Sequence, residues 1–185
     1  MQTETTLIRY AQFKDMDFPD DRTAQYELLN GELVRQAAPS PKHQIIQANL
    51  FLKMGNFISE KQLGRLLCAP VDVYLDDYNV PQPDVLFISS ERQTIIKADG
   101  IFGVPDLVVE IISPTSAARD RVEKLKLYER FGVKEYWLID AVYDTVEVYE
   151  LTPSGYLVAF SAAASGEVGS KLLSGFRLSL SDLFV

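Results

Sequence analysis

The most apolar run of this chain, residues 107–112, contains an acidic residue, Glu110, near its centre. An ionised carboxylate buried in a strand costs several kcal/mol unless a metal ion, a cationic partner or a proton compensates its charge. The sequence offers the first two. Asp84 follows Pro83 at the start of another apolar run, and Lys124 lies in a helix-like segment after the Glu110 run. Two carboxylates and a lysine are residue types of a metal-dependent hydrolase, so these three are candidate site residues.

The choice of metal follows from two residue counts. Cys68 is the only cysteine and His43 the only histidine, so no internal disulfide can form and a zinc site rich in cysteine and histidine is implausible. Oxygen atoms must then hold any metal ion, and Mg²⁺ and Mn²⁺ are the ions that prefer oxygen ligands. We expect Mg²⁺, or Mn²⁺, as the cofactor.

Length and composition predict one domain. The chain has 185 residues, of which 47% are hydrophobic, which is enough for one core and short for two domains. We expect a single domain over residues 1–185. The first residues show no basic and apolar leader pattern, and no segment approaches the roughly 20 apolar residues of a membrane span. A cytoplasmic location is therefore expected.

Two helices are predicted beside the candidate residues. Apolar residues at three- and four-residue spacing predict a helix over 42–61, with His43 in its first turn. A second helix is expected from a cap at Thr115 or Ser116 to about residue 131, where Gly132 follows. Strands are predicted at 32–36, 66–75, the runs that begin at 85 and 107, 135–140, 145–151, 156–160 and 176–180.

The order of these elements predicts the fold class. A helix, three strands, a helix and another strand favour an α/β or α+β fold, in which helices pack on a central sheet. The strands over 135–140 and 145–151 are expected to form a hairpin, and further short strands follow towards the C-terminus.

Charge is unevenly placed along the chain. The net charge of −8 argues against a protein that coats nucleic acid electrostatically. Residues 72–110 contain eight acids and two bases, whereas residues 119–134 contain six bases and three acids. A metal ion and a phosphate group could meet where the two segments join. The alternative is an ordinary solvated helix with internal ion pairs.

Six short blocks follow one another between Tyr26 and Asp140: YELLNGEL at 26–33, PSPKH at 39–43, PQPDV at 81–85, VEIISPTS at 109–116, DxxxKxxxY at 120–128 and EYWLID at 135–140. In this order they resemble the Uma2 family of restriction-endonuclease-like proteins, within the PD-(D/E)XK nuclease superfamily. The resemblance implies a central mixed sheet flanked by helices, with additional C-terminal hairpin strands, and a metal-dependent endonuclease.

The candidate lysine departs from the superfamily pattern. That pattern has lysine two residues after the strand acid, where this chain has Ile112. The resemblance implies that the lysine has moved to the following helix, at Lys124. Asp120, Lys124 and Tyr128 lie four residues apart on one helix stripe, so the lysine stem can return over the strand. Lys126 is the alternative, but it points about 200° away, so only one lysine can face the site.

The predicted chemistry is metal-assisted hydrolysis of a phosphodiester bond, with DNA as the expected substrate. Asp84, Glu110 and the Ile111 carbonyl are expected to hold Mg²⁺, which lowers the pKa of a bound water. Lys124 is expected to orient or help deprotonate that water and to offset charge in the transition state.

Further residues are candidates for the same site. The resemblance implies that His43 and Glu32 add a ligand or orient water from the edge. Asp106 follows a second proline and shares a strand face with Glu110, but about 13 Å separates the two residues, too far to ligate one ion together. Asp84 on a neighbouring strand is the better partner. Tyr128 is expected in the core.

Other interpretations of these residues stay open. Asp84 can be a turn or cap residue at a strand start. Glu110 can form a buried structural ion pair, with Lys124 as its partner, and Lys124 can instead pair with Asp120 on an exposed helix face.

Other functions stay open as well. A nuclease-like fold retained as a binding or regulatory module without cleavage would explain the acidity and the displaced lysine. Hydrolysis of a small phosphate compound is a third reading. A homodimer is plausible for the endonuclease, because one small domain offers little surface for a duplex.

Overall fold

A six-stranded mixed sheet forms the centre of the fold. The structure is a computed structural model, and it describes residues 7–18, 25–114 and 116–184. The helices are α1 (Tyr10–Lys14), α2 (Pro41–Glu60), α3 (Leu125–Phe131) and α4 (Leu180–Leu183), with a 3₁₀ turn over Ser90–Ile95 and a π-helical turn over Arg119–Lys124. The strands are β1 (Gln25–Leu29), β2 (Glu32–Gln36), β3 (Gly64–Cys68), β4 (Val73–Tyr74), β5 (Val85–Ser89), β6 (Ile96–Lys97), β7 (Gly100–Phe102), β8 (Leu107–Ile112), β9 (Glu135–Asp140), β10 (Thr145–Thr152), β11 (Gly155–Ala163), β12 (Glu167–Gly169) and β13 (Arg177–Ser179).

The sheet topology brings two candidate acids together. Its strand order is β11-β10-β9-β8-β5-β3, in which β8 and β9 are parallel and the other neighbours are antiparallel. Val85 of β5 pairs with Val109 of β8. In this register Asp84, one residue before Val85, lies across from Glu110, one residue after Val109. The mixed sheet with flanking helices confirms the predicted fold class, and the hairpin of β9 and β10 is confirmed as well.

Each face of the sheet packs against a different layer. On one face Val109 and Ile111 of β8 join a core with the buried residues of α2, which recur every four positions: Ile46, Leu50, Met54 and Ile58. On the other face Val108 and Ile112 pack with Tyr128 of α3. Because side chains alternate along a strand, Glu110 shares the second face and points towards the segment that contains Lys124.

Local signals in the sequence position the two helices that flank the site. Ser40 accepts a hydrogen bond from the His43 amide at 3.2 Å, and Pro41 occupies the first helical turn, so α2 begins where the pattern predicted. Gly132 ends α3 in the left-handed conformation, with φ of 80°, as its position indicated. Of the two proposed caps of the second helix, Thr115 lies outside the described residues.

Two sequence-based expectations need correction. The strand predicted over 66–75 is two strands: β3 belongs to the central sheet, whereas β4 pairs with β7 in a separate three-stranded sheet. Pro70 lies at the break, and proline cannot donate to a strand ladder. The segment around Tyr26, to which no strand was assigned, forms β1 of a hairpin with β2. None of the described helices is both long enough and apolar enough to cross a membrane.

A buried carboxylate attaches the C-terminal segment to the sheet. Glu135 of β9 accepts hydrogen bonds from the Trp137 indole and the Ser170 hydroxyl, both at 2.7 Å, on one oxygen. Its other oxygen accepts from the amides of Lys171 and Leu172, at 2.7 and 3.0 Å. Both oxygens of Glu135 accept hydrogen bonds, so this position requires a carboxylate. In a glutamine side chain the amide NH₂ group would replace one oxygen and face N–H or O–H donors.

We expect Glu135→Gln to lower the free energy of unfolding by about 2–4 kcal/mol, since hydrogen bonds to a charged group are lost and buried donors remain unpaired. Urea unfolding followed by Trp137 fluorescence and circular dichroism measures the change. Glu60→Gln, at the exposed end of α2, is the matched control and should stay within about 0.5 kcal/mol of the wild type. Equal losses in the two variants would contradict the assignment.

Candidate active site

A buried lysine lies at the centre of the candidate site. Lys124 Nζ is 2.8 Å from Glu27 Oε1 and 2.9 Å from Glu110 Oε1, and the lysine side chain is 1% exposed. The Tyr128 hydroxyl donates to the same Glu110 oxygen at 2.7 Å. The ion pair between Glu110 and Lys124, one of the interpretations left open by the sequence, is therefore present. It fixes one oxygen of Glu110 on the side away from solvent.

Glu27 is a member of this network that the sequence analysis missed. It lies on β1, is fully buried, and also accepts a hydrogen bond from the Gln82 amide at 2.7 Å. Gln36 on β2 donates to its second oxygen. A signal was available, because Glu27 adjoins the apolar pair Leu28 and Leu29, as Glu110 adjoins apolar strand residues. The site therefore includes the β1–β2 hairpin as well as the central sheet.

The helix that supplies Lys124 begins with a π-helical turn. Single π-helical turns are rare and occur frequently at functional sites. The Tyr136 hydroxyl, from the sheet below, donates to the Asp120 carbonyl at 3.0 Å and so anchors this turn. Asp120, Lys124 and Tyr128 are all buried, whereas Lys126 is exposed. The stripe predicted from the four-residue spacing thus faces the protein, and Lys124 is the lysine that reaches the Glu110 strand.

Asp84 is held by the strand that contains Glu110. Its Oδ2 accepts a hydrogen bond from the Ile111 amide at 2.7 Å and lies 3.2 Å from His43 Nε2. Gln47, one helical turn after His43, donates to the Asp84 carbonyl at 2.8 Å. The N-terminal turns of α2 and the centre of the sheet therefore fix the position of this carboxylate from two sides.

These residues border one cavity of about 500 Å³. Its lining includes the side chains of Asp84, Glu110, Asp120 and His43, and the loop that precedes α2 forms part of its wall. Lys124 lies behind Glu110, buried. Within the described part of the chain, Asp84 Oδ1 and Glu110 Oε2 accept no hydrogen bond. Each of the two carboxylates thus uses one oxygen for a protein contact and keeps the other.

Burial and repulsion between negative charges raise the pKa values of two acids of the cavity, Glu110 and Asp120. Burial raises the pKa of Glu110 well above its usual value; Lys124 opposes that shift, and the negative charges of Asp120, Asp84 and Glu27 add to it. Burial likewise raises the pKa of Asp120, against the effect of Lys124. One ammonium group does not neutralise these carboxylates, so the site favours a further cation or a proton.

The carboxylates of the site raise the pKa values of its two basic groups, Lys124 and His43. Burial alone would lower the pKa of Lys124, but Glu110, Glu27 and Asp120 raise it above its ordinary value. The lysine therefore stays an ammonium ion and is not a general base. Burial also lowers the pKa of His43, yet the hydrogen bond and charge of Asp84 outweigh it, and the net shift is upward.

The donor set suits a hard divalent cation. In the described ranges, no three histidine, cysteine, aspartate or glutamate side chains are arranged to hold a metal ion. Mg²⁺, however, is commonly bound by one or two carboxylates, with water and substrate phosphates as its other ligands. Among the residues that the structure describes, Asp84 and Glu110 each keep one oxygen without a hydrogen-bond partner, and the excess of negative charge favours a cation. The residues therefore fit Mg²⁺ or Mn²⁺.

The remaining sequence candidates lie apart from this cavity. Glu32 is exposed on β2, and no hydrogen bond or ion pair connects it to the site in the part of the chain that the structure describes. Asp106, at the other end of the β8 segment, pairs with Arg92 and Lys134, both at 2.8 Å. Asp84 is thus the aspartate beside Glu110, as the strand spacing indicated. Tyr128 is both a core residue and a hydrogen-bond partner of Glu110.

Comparisons with known proteins concern the family and the fold of this chain. Residues 10–181 match the model of the Uma2 family, whose description is "Putative restriction endonuclease". An uncharacterized protein of Synechocystis sp., sll1609, is 26% identical over 153 residues, which cover 79% of this chain and 82% of that protein. The crystal structure of "a putative nuclease belonging to DUF820" from Anabaena variabilis superposes with a TM-score of 0.78 at 20% identity, covering 96% of this chain and 97% of the other. At that identity the superposition shows a shared fold.

Lys124→Met should lower the free energy of unfolding by about 3–5 kcal/mol, because two buried carboxylates lose their cation. Adding Glu110→Gln should recover part of that loss, since it neutralises one of the two. Chemical denaturation of both variants measures the difference. Lys126→Met, an exposed lysine two residues away, is the control, with an expected change within about 0.5 kcal/mol. A Lys124→Met protein as stable as this control would contradict the network.

Proposed function

This chain belongs to the Uma2 family, and on that premise we propose that it is a divalent-metal-dependent nuclease that hydrolyses phosphodiester bonds, with DNA as its substrate. One observation supports the proposal most directly. Asp84 and Glu110 lie across from each other at one cavity, and each keeps an oxygen without a hydrogen-bond partner among residues 7–18, 25–114 and 116–184. The proposed enzyme is an endonuclease, in keeping with the family's description.

In this proposal Asp84 and Glu110, with the Ile111 carbonyl, hold Mg²⁺ or Mn²⁺ at the cavity. A bound divalent ion lowers the pKa of its water and offsets charge on the phosphate. The protein's own contribution is to keep both carboxylates fixed before substrate arrives. The Ile111 amide and His43 hold Asp84, and Lys124 and Tyr128 hold Glu110. Such preorganised charges lose little energy to rearrangement during the reaction.

Lys124 has a narrower role here than the sequence suggested. Its raised pKa and its burial behind Glu110 argue against proton transfer from water. We infer that it favours the ionised form of Glu110, since its charge lowers the pKa of that carboxyl group. Lys124 is thus proposed as a positioning and electrostatic residue.

Binding of DNA needs positive charge that the cavity itself supplies sparingly. Lys42 is the basic residue in its lining besides His43, and it is paired with Asp144 at 2.8 Å. The bound metal ion, and a second copy of the chain in a homodimer, would add contacts to the phosphate backbone. We therefore propose a homodimer that acts in the cytoplasm. The net charge of −8 and the few basic residues at the cavity predict weak binding to DNA in the absence of metal.

A second function is favoured by the occupied state of Lys124. Because two carboxylates already engage its ammonium group, the same fold could bind nucleic acid without cutting it. Such a binding module would keep the ion pairs of Lys124 with Glu27 and Glu110. Its wild-type protein would not cleave nucleic acid. The two experiments below separate these functions.

Binding of a divalent ion should stabilise the folded protein. We expect Mg²⁺ or Mn²⁺ to raise the melting temperature of the wild type; at about 100 times the dissociation constant the stabilisation is about 2.7 kcal/mol. Asp84→Asn and Glu110→Gln should each abolish most of this shift. Glu32→Gln, which removes an exposed acid, should retain it. A shift that survives both site substitutions would place the ion elsewhere.

Cleavage should require the same residues. Purified protein with Mg²⁺ or Mn²⁺ is expected to nick supercoiled plasmid, and EDTA should stop the reaction. Glu110→Gln should reduce the rate by at least about 100-fold, and Lys124→Met by a similar factor, whereas Glu32→Gln should cut at the wild-type rate. Equal cleavage by all variants would indicate a contaminating nuclease. No cleavage by any would favour the binding module.

A further inference from the structure

Three buried side-chain polar atoms in the described residues lack a hydrogen-bond partner: His43 Nδ1, Gln82 Oε1 and Asp120 Oδ1. All three side chains line the cavity that Asp84 and Glu110 share. Buried polar atoms are almost always paired, and each unpaired one destabilises the fold. Their collection at one cavity indicates a place where water or substrate supplies the missing partners.

Of the three unpaired atoms, Asp120 Oδ1 destabilises the folded protein most, because it belongs to a carboxylate. Its residue is 2% exposed, and a carboxylate without a full set of partners is less stable in the protein interior than a neutral amide or imidazole. Lys124 attracts it but donates its short hydrogen bonds to Glu27 and Glu110. The Tyr136 hydroxyl donates a hydrogen bond to the Asp120 carbonyl and so fixes the backbone of the π-helical turn. The residue is therefore fixed at the cavity, and within the described residues its Oδ1 is left unpaired and can accept a hydrogen bond from a reacting water.

Elimination among the cavity residues points to the same group. A nuclease needs an acceptor for the proton of its attacking water, and that acceptor must reach the cavity. Lys124 is a buried ammonium ion, and Asp84 and Glu110 are assigned to the metal ion. His43 Nε2 lies 3.2 Å from Asp84, and this carboxylate favours the protonated imidazole, which has no free lone pair to accept a further proton. The Asp120 side chain has a hydrogen bond with Ser116, but its Oδ1 has no partner within the described residues. Asp120 therefore remains as the acceptor.

We propose that Asp120 is a catalytic residue that accepts the proton of the attacking water through its free oxygen, Oδ1. This inference rests on the nuclease function proposed above and adds a role to the same site. The water oxygen forms a bond to phosphorus as its proton passes to Asp120. The bond from phosphorus to the leaving oxygen breaks with its electron pair, and the leaving oxygen takes a proton from solvent. The products are a phosphate monoester and an alcohol, and Asp120 afterwards returns its proton to solvent.

The test compares Asp120→Asn with the wild type in plasmid nicking, thermal unfolding and the Mn²⁺-induced shift of melting temperature. We expect cleavage to fall by at least about 100-fold. The melting temperature without metal should equal or exceed that of the wild type, because a buried charge is removed. The Mn²⁺ shift should persist. Glu123→Gln, an exposed acid on the same π-helical turn, is the matched control and should behave as the wild type.

Each contrary result has a distinct meaning. Wild-type rates in Asp120→Asn overturn the catalytic role and leave the nuclease function intact. A lower melting temperature would show that the carboxylate stabilises the fold, and loss of the Mn²⁺ shift would make it a metal ligand; either overturns the inference. A wild type that does not cut overturns both proposals. As a further readout, formate should partly restore cleavage by Asp120→Ala but not by Glu110→Ala, and absence of rescue in the former counts against proton acceptance.

Discussion

The buried ammonium group of Lys124 is the interaction on which the rest of this site depends. It contacts Glu27 and Glu110, which come from the N-terminal hairpin and the central sheet, and Glu27 is 97 residues away in sequence. Removal of one partner from such a cluster leaves an uncompensated charge in the interior. The resulting loss of folding free energy is larger than the net stabilisation that the intact cluster provides. The hairpin, the sheet and the helix are therefore held in one relative arrangement by charge as well as by apolar packing.

The same interaction gives Glu110 two functions at once. One oxygen accepts hydrogen bonds from Lys124 and Tyr128 on the buried side, and the other has no donor in the described part of the protein. A carboxylate restrained on one side cannot rotate freely, so its second oxygen is positioned without a ligand present. Asp84 follows the same principle with different partners, the Ile111 amide and His43. The structural ion pair and the candidate metal site are consequently two sides of one group, rather than alternatives.

Sequence patterns predicted those parts of the site that depend on local periodicity. The apolar run around Glu110, the helical spacing of α2 and the glycine at the end of α3 each report on a few neighbouring residues, and each was located correctly. Glu27 was missed because its meaning depends on a lysine 97 residues away, which no local pattern includes. The π-helical turn was missed because one extra residue per hydrogen-bonded ring leaves no clear mark in an apolar stripe. The prediction of one strand over 66–75 was wrong because apolar and polar residues go on alternating from β3 to β4, although the two strands belong to different sheets.

A comparison of the buried acids within this one chain separates structural from functional carboxylates. Burial raises the pKa of Asp106, but Lys134, Ser89 and Arg92 more than reverse it, and the net pKa is lowered. Its charge is thus fully compensated by the protein. Glu110 and Asp120 are also nearly inaccessible to solvent, but one lysine serves both, and burial raises their pKa values more than it raises that of Asp106. The number of cations and donors around each acid differs as well. The undercompensated pair is therefore the place where a further cation or a proton is favoured, which supports the proposed metal site.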